Sequence, residues 1–421
     1  MNGPEPVERR PRLKWFDLLS ESMNAERYSL LTVAGALLLA ATAALTPLAL
    51  PGIAPGWTLL DATLWAATVL FGGTAAVWVV LTYVIGAGYE PPPVAHGPDE
   101  VHVRVLTVDA ADVVQATVDS LPDAFDDVHV VAETPIDVRG ATVHVVPDGF
   151  DCDAVRKGRA IEWARRTIDH DREFVCYLDE DSLVESFAGL PDADVVQLRE
   201  QPRRSDGVLP YLADVYRMGV QVEQRAFARL GVPLFAWGGG IAVRADLEHR
   251  VTWDRETIVE DTAFVWAAFR EADPTFALAR ATCRNEAPPS LYEIAQQRRR
   301  WAAGNLRAAS MLPARYEALT RVRNYAWALS PVVTLVAMPL ALLGASVAYG
   351  GLFLLASLGL AGATAFWFLR GAVYYGGGSL KLALVVPLAP LVTVVHSMGT
   401  VAGVLAPPQG FRVTEKVGPD G

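Results

Sequence analysis

The chain has 421 residues, 52% of them hydrophobic, and a mean hydropathy of +0.25, yet its formal net charge is −11. Those values are compatible only if apolar and acidic residues are segregated along the chain, which excludes a uniformly mixed soluble protein. Lysine is scarce and no basic stripe dominates the charged stretch, so the composition argues against nucleic acid as a partner.

Five basic residues, Arg9, Arg10, Arg12, Lys14 and Arg27, precede an uncharged run from Ser29 to Leu50. A second uncharged run follows from Ala62 to Gly88, and each is long enough to cross a hydrocarbon core, which takes about 20 residues. A second span so close behind the first argues against a cleaved signal peptide. Apolar segments resume at Tyr325–Ala348, Gly351–Leu369 and Leu380–Leu405. The Pro51–Trp57 and Tyr349–Gly351 connections carry no charge, whereas Arg321, Arg323, Arg370 and Lys381 lie at the other ends of the spans. The positive-inside rule then predicts a multi-pass membrane protein with its central domain in the cytoplasm. Pro387 and Pro390 interrupt the last segment, and Arg412 and Lys416 beyond it also read as cytoplasmic, so the expectation is four or five spans. The predicted plan is a segment 1–28, two transmembrane helices within 29–88, a soluble domain over 91–323, a membrane block over 324–405 and a tail over 406–421. The three cysteines, Cys152, Cys176 and Cys283, have no close metal-ligand spacing and fit free thiols in a reducing compartment.

Within the soluble stretch, Pro91-Pro-Pro93 reads as a stiff linker. Strands are predicted at Val101–Val108, Val128–Ala132, Thr142–Val146 and Phe174–Leu178, with helices at Ala111–Leu121 and Ala154–Ile168 between them. Alternating strands and helices predict a mostly parallel, three-layer α/β domain. The Phe174–Leu178 strand delivers Asp179, Glu180 and Asp181 at its carboxyl end, where open α/β sheets bind ligands. Asp179 and Asp181 can both reach one hard divalent cation that in turn holds phosphate oxygens; the plain alternative is an acidic turn. Trp237-Gly238-Gly-Gly240 places glycines where backbone must pass close to another group, or forms an ordinary tight turn. Glu260 and Asp261 end a short apolar stretch and are well placed to cap a following helix. Gln296-Gln297-Arg298-Arg299-Arg300-Trp301 reads as a helix beside the membrane, with a basic collar for lipid headgroups as its alternative role.

In order and combination, these motifs resemble the membrane-bound family 2 glycosyltransferases: Asp-x-Asp at a strand end, Glu-Asp some 80 residues later, then Gln-x-x-Arg-Trp near the membrane. Cellulose, hyaluronan and chitin synthases carry this set. The Leu-Asp-Glu, Trp-Gly-Gly, Val-Glu-Asp-Thr and Gln-Gln-Arg-x-Arg-Trp segments are most similar to the Egghead-type β-1,4-mannosyltransferase group. Phe411-Arg-Val-Thr414-Glu-Lys416 is similar to the gating-loop motif of cellulose synthases. The resemblance implies a GT-A (Rossmann-like) α/β domain inserted between transmembrane α-helices. By the same resemblance, Asp179 and Asp181 bind Mg²⁺ or Mn²⁺ at the donor diphosphate, and Asp261 is the general base with Glu260 beside it. Gln297, Arg300 and Trp301 lie at the acceptor and pyrophosphate end, Lys157 near the donor, Glu133 on the nucleoside side, and Thr414 and Lys416 close over the nucleotide sugar. The first strand departs from the family by ending Leu106-Thr107-Val108-Asp109, and Glu133 stands where the family has paired Asp.

The implied reaction is inverting transfer from a UDP- or GDP-sugar to a lipid-linked or glycan acceptor at the cytoplasmic face of the bilayer. Negative charge grows on the leaving diphosphate, which a divalent ion and the planar guanidinium of Arg300 suit. Two other readings stay open: a processive synthase extruding a β-linked polymer, and a non-catalytic membrane protein that binds nucleotide sugars.

Overall fold

The computed structural model describes residues 57–204, 206–231, 233–375 and 386–408. The expected span Ser29–Leu50, the segment 1–28, and Thr414 and Lys416 lie outside the described residues.

The chain enters through helix α1, Leu59–Val80, which continues as a π-turn to Ile85. Thr58 caps it: its hydroxyl accepts the Asp61 amide, and the Asp61 carboxylate accepts the Thr58 amide at 2.9 Å. A short strand β1 (Val94–His96) leads into β2 (Val101–Thr107), then α2 (Ala111–Asp119), β3 (Val128–Ala132), β4 (Thr142–Val145), α3 (Lys157–Thr167) and β5 (Phe174–Asp179). There follow β6 (Leu183–Ser186), β7 (Leu190–Pro191), β8 (Val195–Glu200), α4 (Val208–Val220), α5 (Glu223–Leu230), β9 (Ile241–Arg244), α6 (Ala245–Val251), α7 (Glu260–Ala272), β10 (Phe276–Arg284) and α8 (Leu291–Ala308). The chain closes with α9 (Ala314–Val332, running on to Leu342), α10 (Gly350–Tyr374), α11 (Ala389–Ser397) and α12 (Thr400–Leu405).

Eight strands form one sheet in the order β4-β3-β2-β5-β9-β8-β10-β6. The strands predicted from the sequence pair in parallel, but β9 runs antiparallel to both β5 and β8, and β6 antiparallel to β10. The sheet is therefore mixed, and the carboxyl ends of β2, β3, β5, β8 and β10 share one edge with the start of β9. All seven residues of β2 are buried, as expected of a strand covered on both faces. Val101, Val103 and Val105 pack with α2 on one face, and Leu106 packs with Ile161 and Trp163 of α3 on the other.

Helix α7 joins the sheet to the membrane block. It is buried from Thr262 to Phe269, with Phe264 and Val265 on the sheet core and Trp266 and Phe269 in the core shared with α1 and α10.

Three described helices are long and apolar enough to cross a membrane: Leu59–Ile85, Tyr316–Leu342 and Gly350–Tyr374. The second begins earlier than expected, because its charged first turns, including Glu317 and Arg321, are already helical and paired at 2.7 Å. The last apolar segment is a broken helix pair, Ala389–Leu405. Among the described residues it breaks at Gly399 (φ +85°), while Pro387 lies in a 3-10 turn and Pro390 in the first turn of α11, where a missing amide costs nothing.

Helices α4 and α10 cross at two glycines. A Cβ on Gly219 would stand 1.8 Å from the Trp367 carbonyl oxygen, and one on Gly371 would stand 1.7 Å from that of Val215. Small residues at such crossings let backbones approach closely. Gly219→Leu is expected to force the crossing apart and destabilise the protein by about 1–3 kcal/mol or more, read as a lowered Tm of the detergent-solubilised chain.

Candidate active site

The buried run Phe174–Leu178 ends at Asp179, whose side chain faces a cleft at the carboxyl edge of the sheet. A tight turn follows, with the Ser182 amide donating to the Asp179 carbonyl at 3.1 Å. Asp181 turns inward: its side chain is buried, and one carboxylate oxygen accepts the Glu286 amide at 2.7 Å. Glu180 points toward β2 instead and accepts the Thr107 hydroxyl at 2.7 Å. All three carboxylates line the cleft, and Glu180 also ties β5 to β2.

Across the cleft, Glu260 and Asp261 begin α7, and Asp261 accepts the Thr262 amide at 2.6 Å. Acidic residues suit this first helical turn. Between the two acidic pairs lies Lys157, at the start of α3, its ammonium paired with Asp179 and 3.5 Å from Glu260. Burial works against the charge on Lys157, but Asp179, Glu260 and Asp261 outweigh it and hold its pKa above the ordinary lysine value. The Asp261 carboxyl is pushed up to about 7, first by burial and then by Glu260, with Lys157 opposing. A carboxylate near neutrality is matched to proton abstraction at physiological pH.

The Trp237–Gly240 loop passes directly over this cluster. A Cβ on Gly238 would stand 2.6 Å from the Lys157 ammonium and 3.0 Å from an Asp261 carboxylate oxygen, so a side chain there would push both groups from their places. Gln197 of β8 holds the loop. Its amide donates to the carbonyls of Trp237 (2.9 Å) and Gly240 (2.7 Å), and its oxygen accepts the Trp237 amide at 2.9 Å. Thr262 links the loop to α7 through the Ala236 carbonyl. Nothing in the sequence pattern distinguished Gln197, which is flanked by Val196 and Leu198 in β8.

Helix α8 supplies the third wall. Gln297, Arg300 and Trp301 share one face by their i, i+3, i+4 spacing, and all three line the cleft. Burial lowers the Arg300 pKa, while Glu260, Asp179 and Asp261 favour its charge. Arg298 faces away, wholly buried against Asp214. Its guanidinium lies 4.2 Å from the Trp301 ring centre, and that of Arg217 lies 5.5 Å away, so two cations hold the indole in place. Arg217 is itself bound by Glu200 at 2.7 Å and Asp214 at 2.9 Å. This network was not apparent from the sequence, because its members come from three separated elements. Arg299 points to the far side and binds the Ala406 carbonyl at 2.6 Å.

On the side of β3, Glu133 is paired with Arg159 at 2.9 Å. Arg156, just before Lys157, takes φ +57° and ψ −129°. Such a backbone costs a non-glycine residue about 1–3 kcal/mol and is typical of functional sites.

One cavity of about 760 Å³ brings all of these groups together: Glu133, Lys157, Asp179, Asp181, Trp237, Gly238, Glu260, Asp261, Gln297, Arg300 and Trp301 all line it. It continues into the helix block, where Phe71, Trp78, Trp327, Trp367 and His396 form its wall. The donor set at its acidic end consists of carboxylate oxygens with a lysine among them as counter-cation, which fits a hard divalent ion such as Mg²⁺ or Mn²⁺.

Residues 170–370 match the family model described as Glycosyl transferase family group 2. The chain is 25% identical over 203 residues to beta-1,4-mannosyltransferase egh of Drosophila melanogaster, covering 43% of this chain and 44% of that protein. It is 30% identical over 109 residues to beta-1,4-mannosyltransferase bre-3 of Caenorhabditis briggsae, covering 24% of each. The matched stretches therefore span less than half of either relative. Among solved structures, mannosyltransferase PcManGT from Pyrobaculum calidifontis, in complex with GDP-Man and Mn²⁺, aligns with a TM-score of 0.47 at 15% identity, over 87% of this chain and 98% of that one. The expected GT-A type of α/β domain, flanked by helices of membrane-spanning length, is the architecture found.

Gly238→Ala is expected to displace Lys157 and Asp261 by a few tenths of an ångström or more. Turnover should then fall by up to about 10²-fold, as misplacement of reacting groups does, with the thermal unfolding midpoint nearly unchanged.

Proposed function

We propose that this chain, whose residues 170–370 match the family 2 glycosyltransferase model, is an integral-membrane inverting glycosyltransferase that moves a sugar from a nucleotide diphosphate to a lipid-linked acceptor. The observation that carries this reading is the single cavity joining the carboxylate cluster to an aromatic-walled space among apolar helices. An acceptor anchored in the bilayer can reach the cluster through that space, and aromatic walls suit both sugar rings and acyl chains. The basic residues flanking the spans support a cytoplasmic position for the domain.

Asp179 and Asp181 would hold Mg²⁺ or Mn²⁺, which would supply positive charge to a donor diphosphate. Arg300 faces the same acidic cleft and is the cation available to the leaving phosphate oxygens. Asp261 removes the acceptor hydroxyl proton as the new bond forms, and Glu260 together with burial keeps it basic enough to do so. Attack opposite the diphosphate inverts the anomeric centre, so an α-linked donor gives a β-linked product. Gln297 and Trp301 position the acceptor at this end, Trp237 and Gly238 shape the donor side, and Lys157 keeps the carboxylates together before the donor arrives. Glu133, held by Arg159, lies on the nucleoside side. Thr414 and Lys416, which lie outside the described residues, carry the donor-closing role only through their similarity to the gating-loop motif.

The test is nucleotide diphosphate release by purified protein with Mg²⁺ or Mn²⁺, a panel of GDP- and UDP-sugars starting with mannose donors, and lipid extract as acceptor. Asp261→Asn should lose about 10²- to 10⁴-fold in transfer while binding donor normally. Asp179→Asn and Asp181→Asn should lose metal-dependent donor binding instead. No turnover with any donor overturns the enzyme reading in favour of a nucleotide-sugar-binding protein. The gating-loop-like tail favours one second reading, a processive synthase, and a product ladder on a gel in place of a single added sugar would establish it.

A further inference from the structure

Four of the seven histidines, His102, His129, His144 and His170, gather at the end of the sheet opposite the catalytic cleft. His102 is the second residue of β2, His129 the second of β3, and His144 lies in β4. Parallel pairing of Arg104 with His129 and of Val131 with His144 puts all three on one face. Asp127, in the turn before β3, stands between two of them: His102 Nδ1 lies 2.7 Å from one of its carboxylate oxygens and His129 Nε2 lies 2.8 Å from the other.

We propose that His102, Asp127 and His129 form a binding site for a divalent transition metal of the zinc class, separate from the donor site at the other end of the sheet. The ligand atoms of these three residues lie within 4.8 Å of one another. Modest side-chain adjustment brings them around an ion with bonds of about 2.0–2.1 Å. Two imidazoles and one carboxylate select a borderline ion such as Zn²⁺ or Co²⁺ over Mg²⁺, which prefers oxygen. The surroundings are those of a metal-binding histidine: the second nitrogen of His129 meets His144 Nε2 at 2.8 Å, fixing tautomer and ring orientation from the outer shell. His102 is buried and stacked on His170 at 4.4 Å, and its Nε2 has no hydrogen-bond partner among the described residues.

Asp127 also faces Arg172, whose Nε is 3.6 Å away. That guanidinium is bound at 3.1 Å by Asp126 and lies 3.7 Å from Asp171, so it keeps acidic partners when an ion takes Asp127. Arg104, the other nearby cation, is turned to Tyr177 at 2.9 Å and to Glu248 at 3.7 Å. A bound ion would clip the start of β2 to the turn that begins β3.

The test is a Co²⁺ titration of the full chain in detergent, stripped with chelator and kept in excess Mg²⁺ to fill oxygen-ligand sites. One equivalent of Co²⁺ should give visible d–d bands, be displaced by Zn²⁺, and raise the unfolding temperature. Asp127→Asn and His129→Gln should abolish the bands, and His144→Gln should weaken binding about 10- to 100-fold. Asp179→Asn, at the other end of the sheet, should leave the bands intact. Absence of bands in the wild type, their survival in both ligand variants, or their loss in Asp179→Asn overturns the proposal. If the ligand variants do not fold, unchanged Co²⁺ affinity in His144→Gln overturns it as well.

Discussion

Asp179, Asp181, Glu260 and Asp261 face one cleft and repel each other, and the site depends on Lys157, whose ammonium lies among them. Its ammonium contacts Asp179 and approaches Glu260, while the Gly238 backbone passes close enough to leave no room for a side chain. Without the lysine the carboxylates would lose their counter-charge, and like charges so close together disfavour one another's ionised form. The remaining scaffold follows from this requirement: α3 must start where β5 ends, the loop before β9 must be glycine, and α7 must present its first turn to both. Arg156 is held in an unfavourable backbone conformation one residue earlier, so local strain is tolerated to bring Lys157 in.

The second constraint is mechanical. Helix α7 is apolar on nearly every side because it lies between the sheet and the membrane-length helices. The Gly219 and Gly371 crossing brings α4 and α10 to backbone contact. The catalytic edge and the helix block are therefore one packed body with one cavity, and not a domain hung from a tether. The buried Asp214, Arg217, Glu200 and Arg298 network lies at this junction and fixes Trp301 between two guanidinium groups.

Much of this was legible in the sequence because it rests on short-range patterns. The first four strands of the sheet, the acidic strand end, the i, i+3, i+4 face of α8 and the long apolar helices all follow from local periodicity. The reversed strand β9 did not, since pairing direction depends on long-range topology and not on the Ile241–Arg244 pattern. The brace at Gln197 was hidden for a related reason: a polar residue between Val196 and Leu198 has meaning only once the Trp237 loop lies beside it. The break at Gly399 was not read, because a single glycine in an apolar run gives no local signal of a left-handed turn. The histidines of the far edge are spread over β2, β3, β4 and the turn before β5, and only strand register brings them together.

Helix α8 has a second face. While Gln297, Arg300 and Trp301 look into the cleft, Arg299 and Arg307 grip the Ala406 and Pro408 carbonyls, and Gly399 and Gly403 let α12 lie directly on the same helix. The two faces belong to one helix, so the contact with α12 at Gly399 and Gly403 and the cleft wall at Arg300 cannot shift independently. A displacement on the side of α12 is carried through the body of α8 to the guanidinium that faces the carboxylates, without any residue of α12 entering the cleft.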